Sequence, residues 1–154
     1  VGSEMCIRDS SGYEQEEDFY QEYHKELYET SNIIPMGFVD IESETFREIS
    51  YKCTFAILPS CAEGCAGSIL TAMSAGMIPI VSKECGFEDD EVINLPDCKM
   101  ETIFGYVVEY SQKDQNWLKN AAKHSMEIVH SRYSKLCFSH SVEKALDGVL
   151  ANTK

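Results

Sequence analysis

The sequence predicts an α/β fold: a doubly wound, Rossmann-like parallel sheet. Three observations carry this. The run TFAIL (54–58) is continuously apolar, as expected of a strand covered on both faces, and IPIVS (78–82) reads as the next such interior strand. Segments with apolar residues at three- and four-residue steps lie before, between and after them, so strands and helices alternate. A loop of small residues, SCAEGCAG (60–67), leads from the first of these strands into a helix. In such sheets ligands sit beyond the carboxyl ends of the strands, which already directs attention to residues 60–68.

Each element follows in order. Residues 13–30 place Phe19, Tyr20, Tyr23, Leu27 and Tyr28 at helical steps among many Glu, giving an amphipathic helix with an acidic, solvated face. NIIPMGFV (32–39) reads as a buried strand ending in a turn at Gly37. Residues 42–53 form a helix with Phe46, Ile49 and Cys53 inward. TFAIL is an interior strand stopped by Pro59, and residues 68–75 are a short helix closed by Gly76. IPIVS is the next interior strand, followed by an acidic loop over 83–91. Residues 92–95 form a short strand. Residues 100–110 form a helix with Ile103, Phe104 and Val107 on one side. Residues 114–132 carry one apolar stripe of Trp117, Leu118, Ala121, Ala122, Ile128 and Val129. Residues 138–150 form a last helix carrying Val142, Leu146, Val149 and Leu150.

Composition narrows the function. The chain has 154 residues, 44% of them apolar, enough for a packed core. With 26 acidic and 13 basic residues its net charge is −13, which argues against a nucleic-acid phosphate backbone or an anionic membrane as partner. No apolar run approaches the ~20 residues of a membrane span. The seven cysteines (Cys6, Cys53, Cys61, Cys65, Cys85, Cys98 and Cys137) are odd in number and scattered, as expected of reduced thiols in a cytoplasmic protein. His24, His124, His130 and His140 fall at unrelated spacings, so no zinc site is expected. The opening VGSEMCIRDS (1–10) has no hydrophobic period and resembles translated adaptor sequence. It reads as a non-native tail, and native sequence is expected to be missing upstream. The expected organisation is then a tail (1–10), a helix of a truncated upstream part (11–31), and one Rossmann-like domain with closing helices (32–154).

The chemistry concentrates in PSCAEGCAGSILTAM (59–73). Gly64, Ala66 and Gly67 let a ligand approach the backbone. A helix beginning near Ser68 leaves its first N–H groups unpaired, and these suit an anion such as a diphosphate. The Ser68 hydroxyl can donate to the same oxyanion. Glu63 beside a phosphate is electrostatically unfavourable, so its natural partner is uncharged, such as a sugar hydroxyl; a local cap or ion pair is the alternative. The segment contains no dinucleotide G-x-G-x-x-G, no phosphate-loop Gly-Lys-Ser/Thr and no G-x-S-x-G elbow. Cys61 and Cys65 have no histidine near them in sequence to serve as a base.

GFVD (37–40), FAILPS (55–60) and EGCAGSILTAMSAGMIPIVS (63–82) together resemble the carboxyl-terminal donor-binding domain of retaining glycosyltransferases of family 4, which have the two-domain GT-B fold. YSKLCFSHSVEKAL (133–146) is similar to the family's closing helix. The resemblance implies a hexosyltransferase that takes a nucleoside-diphosphate sugar as donor. It implies Glu63, the first Glu of an E-x7-E motif, as the catalytic contact to the donor sugar. The amides of Gly64, Cys65, Ala66, Gly67 and Ser68, in the loop opened by Ser60, would hold the diphosphate. Gly37, Phe38 and Val39 would border the base, and Gly86 would lie near the donor sugar. No cofactor or metal is implied, since amides and cationic side chains take that role.

Two departures stand out. The second motif Glu is replaced by Thr71, which offers one hydroxyl to the ribose instead of a bidentate carboxylate. The family's phosphate-binding Arg and Lys, and its whole amino-terminal acceptor domain, are outside this sequence. The fragment alone is therefore expected to bind a donor weakly and transfer nothing. The acceptor (a glycan, a lipid or a small molecule) is left open, and any contact with a membrane surface would come through the missing domain. Two alternatives stay open: an inactive sugar-nucleotide-binding or regulatory module, and a sugar-nucleotide epimerase of the same architecture. Trp117 reads as core and not as a sugar-stacking platform. The acidic loop after IPIVS reads either as solvated or as approaching an acceptor.

Overall fold

The computed structural model describes residues 5–8 and 17–151. It divides into two compact units, Val1–Cys53 and Thr54–Lys154.

In the first unit, β1 (Met5–Arg8) pairs in parallel with β2 (Ile33–Gly37). α1 (Glu17–Tyr28) packs on β2, and α2 (Glu44–Lys52) follows. The sequence reading places no element in residues 1–10, yet four of them form a strand. That pairing concerns conformation and not origin; the rest of the tail lies outside the described residues. α2 starts where expected because Ser43 caps it, its hydroxyl oxygen accepting the Phe46 amide at 3.2 Å. Val39 and Leu27 are buried here.

The second unit is a three-stranded parallel sheet in the order β3 (Phe55–Leu58), β4 (Ile78–Ser82), β5 (Ile93–Leu95). α3 (Gly67–Ser74) connects β3 to β4 and packs on both. β4 returns to β5 through a loop holding a short 3-10 turn at Lys83–Cys85. α4 (Met100–Ser111) packs on β5, and α5 (Gln115–Arg132) packs on α3 and β4. α6 (Lys135–Ala151) ends the described chain.

The core forms around β4, all five of whose residues are buried. Ala66, Ile69, Met73, Val81, Cys85 and Ile128 make one apolar cluster, which clamps α3 between the sheet and α5. α3 stops where the glycine dictates. Gly76 takes φ +85, its amide donates to the Met73 carbonyl and the Met77 amide to the Ala72 carbonyl, a Schellman closure. α5 is launched by Asp114, whose carboxylate accepts the Asn116 and Trp117 amides at 2.8 and 2.9 Å.

Two expectations are corrected. TFAIL is not interior within the second unit: among the described residues β3 has a ladder partner on one side only, and all four of its residues are half-buried. An apolar run shows that a strand tolerates cover on both faces, not what lies beside it. Phe104 faces solvent at 67% exposure, while Ile103 and Val107 on the neighbouring side of α4 are half-buried. On α6 the apolar Val142, Leu146 and Leu150 are exposed. Its period specifies the helix and a face that would accept cover.

Candidate functional site

Parallel pairing decides where the site can be. β3 and β4 run side by side, Leu58 opposite Val81, so the loops that leave them emerge at the same end. The loop 59–66 therefore lies against the loop 83–91. The Glu63 amide donates to the Glu84 carbonyl at 2.9 Å, and the Ala66 amide to the Cys85 carbonyl at 3.3 Å. The Ser82 hydroxyl donates to the Ser60 carbonyl, and the Cys85 thiol to the Leu58 carbonyl at 3.4 Å. Gly86 sits at φ +76, and a Cβ there would collide with the Gly64 carbonyl.

Between these loops is an open hollow of about 540 Å³ lined by Cys61, Ala62, Glu63, Gly64 and Glu84. Glu63 is exposed at its edge. α3 begins beside it with Ala66 as a cap that has no side-chain acceptor. The Gly67 and Ser68 amides, in the first turn, accordingly have no hydrogen-bond partner among the described residues. A larger hollow of about 630 Å³ lies between the end of α3 and α5, lined by Ser74, Met126, Glu127, Val129, His130 and Ser131. It meets no strand end and no free amides, so it offers nothing comparable to an anion.

The expected site residues divide as follows. Ser60, Glu63, Gly64, Cys65, Ala66, Gly67, Ser68, Thr71 and Gly86 all belong to this loop pair and the start of α3. Ala66 is buried and its amide is already bonded, so it shapes the loop and presents nothing to a ligand. Thr71 turns its hydroxyl onto the Gly67 carbonyl at 3.0 Å, within its own helix. Gly37, Phe38 and Val39 belong to the other unit. Phe38 is exposed there, whereas Val39 is buried and offers only backbone. Glu84, in sequence only one charge of an acidic run, faces the same hollow as Glu63. Trp117 is half-buried with its ring against Tyr110 at 5.5 Å, in line with a structural role. Desolvation of its sulfur and the Glu91 carboxylate push the thiol of Cys65, an exposed residue, up, which makes it a poor nucleophile. Cys61, Cys65, Cys85, Cys98 and Cys137 are thiols, none of them in a disulfide. Among the described residues no group of three or more His, Cys, Asp or Glu could hold a metal ion. No described helix is long and apolar enough to cross a membrane.

The acidic loop is not uniformly solvated. Glu91 is 3% exposed. Its carboxylate accepts the Tyr133 hydroxyl at 2.7 Å, the Glu88 amide at 3.0 Å and the Arg132 guanidinium at 2.9 Å. Burial pushes the Glu91 carboxyl up, but these three donors outweigh it and hold it below the usual carboxylate range. The Arg132 guanidinium holds Asp90 down as well. A lowered folded-state value means the stabilisation is complete above the unfolded-state pKa. It is lost as pH falls through the folded-state value. Urea unfolding followed by Trp117 fluorescence should therefore show a midpoint that drops on acidification below about pH 4. The drop should be shallower in Glu91→Gln.

No family model matches the chain, and no curated protein matches it. Among solved structures, the chain is similar to the catalytic domain of starch synthase IV from Arabidopsis thaliana bound to ADP and acarbose. The TM-score is 0.62 at 17% identity, over 92% of this chain. The match takes in 32% of that catalytic-domain chain, so this sequence spans about a third of its length. At that identity the likeness concerns fold alone. This chain has an α/β, Rossmann-like fold matching the carboxyl-terminal half of a GT-B glycosyltransferase.

Proposed function

We propose that this chain is the donor-binding part of a retaining glycosyltransferase of the family 4 kind. In this reading Glu63 meets the donor sugar, and the Gly67 and Ser68 amides meet the diphosphate. The observation that carries it is a single juxtaposition. An exposed carboxylate lines a hollow at the carboxyl ends of two parallel strands, beside a helix start whose amides are unpaired. The chemistry divides cleanly there: a carboxylate accepts hydrogen bonds from hydroxyls and repels phosphate, while free amides do the reverse. No metal enters the reading, because the amides take the phosphate charge. Support also comes from the fold neighbour, whose bound ADP and acarbose are a nucleotide and a glycan.

The acceptor and its binding domain lie outside this sequence in this reading, so the chain alone binds donor and transfers nothing. Glu84 beside Glu63 adds a second negative charge, which makes weak binding by the isolated chain the expectation. Calorimetric titration with UDP-glucose, ADP-glucose and GDP-mannose tests the assignment. At least one should bind, and Glu63→Ala should weaken it by about 10- to 100-fold, the loss of a charge-assisted hydrogen bond worth ~1.5–3 kcal/mol. Free UDP, ADP or GDP should lose little. Unchanged affinity for the sugar nucleotide in folded Glu63→Ala removes Glu63 from the site.

One observation favours a second reading, an inactive sugar-nucleotide-binding module. Thr71 spends its hydroxyl on its own helix, so the ribose contact implied by the family motif is reduced to a lone pair. Transfer of a labelled sugar to any acceptor by the protein joined to its acceptor domain would end that reading.

A further inference from the structure

The start of the site loop is held at Ser60, whose hydroxyl accepts the Ala62 amide at 3.4 Å and whose carbonyl accepts the Ser82 hydroxyl. Beyond it the loop is held from outside: the Glu63 and Ala66 amides both bond to carbonyls of the segment 84–85, and Gly64 rests against Gly86. What fixes that segment therefore fixes the Glu63–Gly64 side of the hollow. The segment is covalently continuous with residues 87–91, and these are tied down at the far end of α5. Glu91 is held by Tyr133 and Arg132. Arg132 also bridges to Asp90 at 2.6 Å, and the Asp90 carbonyl meets the His124 ring nitrogen at 2.8 Å. Phe87 stacks edge-on against Tyr133 with centroids 6.1 Å apart.

We infer that Glu91, Arg132 and Tyr133 are positioning residues that set the conformation of the Glu63–Gly64 loop from the carboxyl-terminal end of α5. None of the three lines the hollow; they act through the 84–86 segment. The physical reason is the burial of Glu91. A carboxylate out of water requires its donors, and a missing donor is replaced by letting water in. Hydrating Glu91 means lifting residues 87–91 away from Tyr133, which strains the two backbone bonds to the site loop. Arg132 is suited to its place because its planar fork grips both oxygens of Asp90 while also serving Glu91, a bidentate geometry that a lysine's compact ammonium does not reproduce. The consequence for donor affinity rests on the function proposed above; the consequence for loop order does not.

Two conservative variants of the chain test this: Tyr133→Phe, which keeps the ring against Phe87, and Arg132→Lys. The first readout is amide hydrogen exchange. We expect the Glu63 and Ala66 amides to exchange at least tenfold faster in both variants, while Ile103, bonded to Lys99 in α4, keeps its rate. The second readout is binding of UDP, ADP and GDP, expected to weaken about three- to tenfold for whichever binds. Unchanged exchange at Glu63 and Ala66, or a uniform rise across Thr54–Ala151, overturns the inference. If no nucleotide binds even the unaltered chain, the proposed function fails, and the exchange rates still decide the inference.

Discussion

Gly86→Val should destabilise the Thr54–Lys154 unit by about 3–4 kcal/mol and abolish donor binding together. Two costs combine. A β-branched side chain at φ +76 is strained by ~1–3 kcal/mol wherever it stands. Its Cβ also meets the Gly64 carbonyl, a backbone atom that cannot rotate aside. Relief requires the two loops to separate, which breaks the Glu63–Glu84 and Ala66–Cys85 bonds that shape the hollow. The chain's single tryptophan, Trp117, lies on α5 in the same unit and reports its unfolding in urea. Gly105 supplies the control: it lies inside α4 with open space around it and an ordinary φ. Gly105→Ala should stabilise by about 0.5–1 kcal/mol, so the two glycine substitutions should move the midpoint in opposite directions.

Met73→Ala should cost about 3 kcal/mol, the ordinary range for a large-to-small change in a filled core. Met73 is fully buried, on the face of α3 that meets Val81, Cys85 and Ile128. The helix itself should persist, since alanine is the better helix former and the Gly76 closure is untouched. What loosens is the seating of α3, and with it the direction of its first amides. Thermal or urea unfolding checks the first consequence. Nucleotide affinity reduced in the folded variant, although residue 73 touches no ligand, checks the second. A midpoint within the error of the unaltered chain would show that α3 is not held by this cluster.

The fold was legible where a local pattern has only one structural meaning. IPIVS is apolar up to its closing Ser82 and became a strand buried at every position. Asp114 followed by a 3.6-residue stripe became a capped helix on the same residues, and Gly76 ended α3 through the conformation that only glycine takes cheaply. TFAIL shows where the pattern falls short. It has the composition of β4, but burial also depends on neighbours, and β3 has a ladder partner on one side only among the described residues.

The candidate site was legible for the same reason. Glu63 and the small residues after it are contiguous, so their loop, the following helix start and the free amides are all one local feature. Glu84 and Glu91 were not, and their environments show why. Each belongs to an acidic run whose charges look alike in sequence. One of them ends at the hollow and another, Glu91, is buried against Arg132 and Tyr133, more than forty positions away. A carboxylate's role there is set by a partner that only folding supplies. Gly86 illustrates a middle case: the glycine is visible, but its reason, the Gly64 carbonyl, is a tertiary contact.

The most direct measurement is amide chemical-shift mapping of the chain during titration with UDP-glucose, ADP-glucose and GDP-mannose, each compared with its free diphosphate. The account expects the Gly67 and Ser68 amides to move with diphosphate and sugar nucleotide alike, and Glu63 to move further only when the sugar is attached. Shifts confined to the hollow around Ser74, Met126 and His130, with Gly67 and Ser68 still, would contradict it.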